Sequence, residues 1–157
     1  MPEKIRHFMK LAGDEKRLLV HAWLALGCIR MAMTVLPLKR LAASLDHHSG
    51  SVSPRPVTRE QGEQARRIGR LVAIAARLTP WHSRCLAQVL VTQRLLAARH
   101  IPGQFCLGVR RDRDPARAAA GFSAHAWLQC GERIVNGELG CERYQVISTF
   151  RWNACGR

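Results

Sequence analysis

Near residue 100 the chain changes its hydrophobic period, and this change limits the possible folds more than any other feature. Upstream, apolar residues recur at helical spacing: Ala65, Ile68, Leu71, Val72, Ala75 and Ala76, then Leu86, Val89, Leu90, Leu96 and Ala97. Downstream, FCLGVRR (105–111) reads as a strand, and FSAHAWLQC (122–130) alternates with a period of two. Gly131-Glu132 makes a two-residue turn, RIVNGE (133–138) returns, and YQVISTF (144–150) adds a further strand. Helices followed by antiparallel strands predict an α+β fold with amino-terminal helices and a small carboxy-terminal sheet. At 157 residues the chain is one domain's worth, large enough to hold a core without disulfide or metal.

Residues 1–59 form an amino-terminal helical segment and linker, and residues 60–157 the core. Asp14 can cap a helix, and Leu18 to Leu38 is mostly apolar, with Leu19, Trp23, Leu26 and Arg30 on one side. The run is long enough to span a bilayer, but His21 and Arg30 interrupt it and Pro37 closes it. A buried or interface-forming helix is therefore expected, with no membrane span. DHHSGSVSPRPVTRE (46–60) reads as a linker, and His47-His48 has no carboxylate or thiol at ligand spacing other than Asp46, so no metal site is expected there. The helix over 60–78 ends before Thr79-Pro80, because a residue preceding proline is pushed out of helical geometry. The next helix starts within WHSRCLAQ, with Ser83 as its N-cap.

Lys and Arg total 25 against 11 Asp and Glu, a net charge of +14. That excess admits nucleic acid, anionic lipid or an acidic polypeptide as partner. The basic residues are scattered and aromatics are 6%, so no base-stacking platform is evident and nucleic acid is not expected. Six cysteines occur at 28, 85, 106, 130, 141 and 155, without CxxC or zinc-finger spacing. No metal or cofactor is expected. The first twenty residues lack a signal-peptide pattern, and the expectation is a cytoplasmic protein with reduced thiols.

Cys85 stands out among the thiols. In the first turn of a helix it meets the positive end of the macrodipole, which favours thiolate, and His82 and Arg84 add positive charge. The alternative is a small buried hydrophobe, which is the reading preferred for Cys106, Cys130, Cys141 and Cys155. His125, mid-strand beside Trp127, is the matching base or else a satisfied core histidine. A turn at Gly131-Glu132 sets 130 against 133, 128 against 135 and 127 against 136. His125 then faces Glu138 directly and Asn136 diagonally, so either can orient the imidazole. The helix bearing Cys85 is expected to pack on the His125 face of the sheet.

The run TPWHSRCLAQVLVTQRLLAARHIPGQFCLGV, followed by AHAWLQCGERIVNGE, resembles the transglutaminase-like cysteine peptidases that remove leaders from lasso-peptide precursors. The likeness is strongest over residues 79–140 and includes LPLKRLA (36–42). It implies a transglutaminase-like or papain-like core with Cys85 as nucleophile and His125 as base. The family's third member, typically Asp, falls on Gly137, flanked by Asn136 and Glu138. The implied partners are the precursor's leader, a separate leader-recognition protein and a lasso cyclase. About 45 residues of helix and a linker precede residue 60, too few for a fused recognition domain. An acyl-transferring transglutaminase shares the Cys/His pair, and a basic nucleic-acid-binding or membrane-surface protein is the alternative outside enzymes.

Overall fold

Asp14 and Glu15 lie in the first turn of α1 (Gly13–Val35), where acidic side chains complement the helix dipole. The computed structural model describes residues 13–81, 85–111 and 121–153. A short α2 (Leu38–Leu41) follows Pro37. The chain then forms β1 (Asp46–Ser49), α3 (Arg59–Leu78), α4 (Cys85–Ala97), β2 (Gly103–Arg111), β3 (Phe122–Cys130), β4 (Arg133–Asn136) and β5 (Gln145–Trp152). The five strands make one antiparallel sheet in the order β1-β5-β2-β3-β4. The fold is thus α+β, as the change of period predicts.

Helix α3 starts at a capping box. The Thr58 hydroxyl accepts from the Gln61 amide, and the Gln61 side chain accepts from the Thr58 amide. Its Ala65, Ile68, Leu71, Val72 and Ala75 are fully buried. Helix α4 is buried almost all round, from Ala87 through Leu96, because α1 and α3 cover one side and β2 and β3 the other. Each such Leu or Val contributes about 1.5–3 kcal/mol by leaving water. On α1 the buried residues are Leu19, Ala22, Leu26 and Ile29, while Trp23 sits at the boundary against Trp81. This helix is long and apolar enough to cross a membrane by length and composition. Here one face packs on α3 and α4, while Val20, Leu24, Met31 and Val35 are exposed.

Two expectations need correction. The segment starting at Asp46 is not wholly a linker: residues 46–49 pair with residues 148–151 of β5 as an edge strand. The tight hairpin does set Cys130 against Arg133, but the register then shifts between Leu128 and Gln129. Gln129 meets Ile134 and Leu128 meets Asn136, so Val135 is an extra residue on β4. β4 ends at Asn136, and Glu138 never comes opposite His125.

Helix α3 crosses β4 so closely that a Cβ on Gly69 would overlap the Val135 carbonyl oxygen. Gly62, in the same helix, has only a distant Val57 methyl near it. Gly69→Ala should destabilise the protein by about 1–3 kcal/mol through overpacking. Gly62→Ala should stabilise it by about 0.5–1 kcal/mol through helix propensity. Urea midpoints of the two variants against the parent measure both signs.

Candidate active site

Cys85 is the first residue of α4, half-buried and packed against the hydrophobic core. The helix start expected for it is present; the proposed cap Ser83 and its neighbours His82 and Arg84 lie outside the described residues. Three residues on, Gln88 turns toward a cleft of about 860 Å³ between α3 and the end of β4. Thr79, Pro80 and Trp81 line that cleft beside Gln88, and so do His125 and residues 134–139. The Thr79 hydroxyl lies 2.7 Å from the Ala76 carbonyl and 2.8 Å from that of Trp81, fixing the bend between α3 and α4.

His125 lies opposite Gly108 of β2, where the Trp127 ring and Tyr144 would meet any side chain. Its ring lies 6.0 Å from Trp127 and 5.2 Å from Tyr144 between centroids. Trp127 and Cys106 are buried on this face, apart from the main core. Ala126 and Leu128, alternating with them, belong to the core under the helices. The expectation that α4 packs on the His125 face is therefore corrected: α4 covers the Ala126–Leu128 face. His125 reaches the cleft at the open end of the sheet, where β4 has already stopped. Cys85 makes no hydrogen bond to His125 among the described residues.

The imidazole Nε2 lies 2.8 Å from the Gly137 carbonyl oxygen. A carbonyl can only accept, so Nε2 carries the proton and Nδ1 holds the lone pair of the neutral ring. This bond depends on Gly137. Its φ is +77°, and a Cβ there would stand 2.5 Å from the Ala126 carbonyl oxygen. The position at which the resemblance implies Asp therefore has no room for a side chain on this backbone. Its main chain holds the ring instead.

Neither flanking side chain bonds to His125. Asn136 is buried and its amide donates to Thr92 Oγ1 of α4 at 3.1 Å. Thr92 in turn donates to the Gln88 carbonyl at 2.8 Å. Glu138 is exposed at the rim of the cleft. No residue type marks the Gly137 carbonyl, since every position carries a main-chain oxygen; its one trace in the sequence is the glycine of the VNG step.

The other thiols are chemically quiet. Burial raises the Cys130 pKa to about 11, and its thiol donates to the Pro102 carbonyl. Burial also raises Cys106, which lies 3.8 Å from the Thr149 hydroxyl. Cys141 is raised by partial burial and then by Glu142 and Glu138. Cys155 lies outside the described residues. His47 packs at a tilt against Phe150, 4.9 Å between centroids, and bonds to Ser148.

Residues 32–149 match the family model described as the Transglutaminase-like superfamily. No curated protein and no solved structure matches the chain.

Two outcomes follow from this geometry. The Thr92 hydroxyl proton is already spent on Gln88, so Asn136→Asp would set a carboxylate against a lone pair. That variant should lose about 1–3 kcal/mol of stability, more than an isosteric change warrants, by thermal or urea unfolding. For Cys130, the folded pKa exceeds the unfolded one, so the thiol favours folding below pH 9.0 and that contribution is lost as pH rises toward about 11. Stability should fall over this window, and Cys130→Ala should flatten the decline.

Proposed function

The chain belongs to the transglutaminase-like superfamily, and within it we propose a cysteine peptidase that removes the leader from a ribosomally made lasso-peptide precursor. The observation that carries this reading is the His125 ring, held through Nε2 by the Gly137 carbonyl at the end of a cleft bordered by α4. That tautomer leaves Nδ1 free to take a proton, as the base of a thiol nucleophile must. The place of Cys85 as the first residue of α4, where backbone amides lack intrahelical partners, supports it as that nucleophile.

In the proposed reaction, the Cys85 thiol gives its proton to Nδ1 of His125, and Sγ attacks the scissile carbonyl carbon. The carbon–nitrogen bond breaks as the imidazolium protonates the leaving amine. Water then attacks the thioester with His125 accepting its proton, releasing the new carboxyl terminus and the free thiol. The freed amine is the group a separate lasso cyclase would use. A separate leader-recognition protein would present the leader, and the cytoplasm would keep Cys85 reduced. Asn136 and Glu138 enter this proposal unequally. Asn136 braces α4 against β4, and Glu138 flanks the cleft, while the Gly137 carbonyl orients the ring.

The test is mass spectrometry of a precursor peptide incubated with the purified protein and a leader-binding partner. Hydrolysis yields two peptides, whereas acyl transfer yields a joined product. Cys85→Ala and His125→Ala should each abolish cleavage with the fold retained, and continued cleavage by either variant overturns the mechanism. Gly137→Ala, which must move the carbonyl off the ring, should lower kcat at least roughly tenfold, about 1.4 kcal/mol of barrier. Glu138→Ala should stay within about threefold of the parent, a loss too small for a catalytic member.

A further inference from the structure

Building on the peptidase reading, we propose that the cleft selects acidic peptide: three arginines on α3 form a subsite for carboxylate side chains of the substrate. Arg66, Arg70 and Arg77 line the cleft that His125 closes, and the single acidic residue on its described lining is Glu138. At 1.5 Å per residue, these three positions span about 16 Å along one face of the helix. Carboxylates two to four residues apart in an extended peptide lie about 7–13 Å apart, which matches pairs drawn from this row.

The arginines are not all committed elsewhere. Arg66 meets Glu63 at 3.1 Å. Glu15 Oε1 is held by Arg67 at 2.9 Å and lies 3.8 Å from Arg70, so Arg70 shares an acceptor already engaged. Arg77, in the last turn of α3, makes no ion pair among the described residues. Between them lie Ala73 and Ala76, with Ile134 and Val135 across the cleft. Small apolar surface there lets a peptide backbone approach while the guanidinium groups reach its carboxylates, each a planar fork suited to bidentate contact. These guanidinium groups face solvent, so the attraction should be steep in salt.

The experiment uses the Cys85→Ala protein, so that binding is read without turnover. Its probes are fluorescein-labelled decapeptides with a Glu pair spaced two, three or four residues apart in an Ala/Ser/Thr background, each with a Gln-pair twin. By anisotropy in about 50 mM salt, the best Glu-pair peptide should bind roughly tenfold tighter than its twin. The double change Arg70→Gln with Arg77→Gln should remove most of that difference while leaving the twin's affinity alone, and Glu138→Gln should widen it. The double change Arg40→Gln with Arg59→Gln, which removes the same two charges at exposed positions outside the cleft, should leave the difference in place. Equal binding of each pair, no measurable binding of any Glu peptide, or equal loss in the Arg40→Gln with Arg59→Gln control would overturn the subsite. Acidic preference without precursor cleavage in the parent would overturn the peptidase alone, and cleavage without acidic preference would overturn the subsite alone.

Discussion

One extra residue on an edge strand sets most of what lies around the candidate site. Val135 is the bulge that moves Asn136 opposite Leu128. Without it, alternation would turn Asn136 to the other face, away from Thr92. With it, Asn136 points into the helical layer and bonds to α4. The same bulge brings the Val135 carbonyl against Gly69 of α3, and it delivers Gly137 to the His125 ring. Strand, helix crossing and imidazole are therefore tied to one local irregularity. Overpacking at Gly69 would press on the backbone two residues from the carbonyl that holds His125.

The elements that could be read from the chain are those whose side chains carry a period. FSAHAWLQC alternates, and β3 occupies those nine residues. The amphipathic run around Ala65 to Ala76 became α3. β1 escaped because DHHS is polar throughout and joins the sheet through backbone hydrogen bonds to β5, which leave no mark on residue type. The capping box is written in the chain as Thr58 and Gln61 flanking the helix start, but the Pro- and Ser-rich stretch around Thr58 masks it as linker. At the site, Cys85 and His125 announced themselves through position. Which face of the sheet His125 occupies was harder, since alternation gives two faces and does not say which one the helices cover.

Charge and packing play separate parts. The positive excess is spread over the chain, and most of its arginines need no explanation beyond solvation. Glu15 and Glu63, however, neutralise one side of α3: Glu15 takes Arg67 fully, and Glu63 takes Arg66 and also reaches Arg133 at 3.4 Å. Arg77, beside the bend at Thr79-Pro80, has no such acidic partner among the described residues.

An imidazole held by main chain has an uncommon genetic property. A carboxylate that orients a histidine can be deleted by one codon change, and its loss marks the position in any mutational survey. The Gly137 carbonyl is present whatever residue occupies the site, and only the dihedral angles that aim it can be lost. A survey by residue type would therefore score 137 as a turn glycine with a conformational role and would find no third member at all. Insertions or deletions in the few residues between the turn and Gly137, which alter where the backbone points, would act on the imidazole as a side-chain knockout does elsewhere.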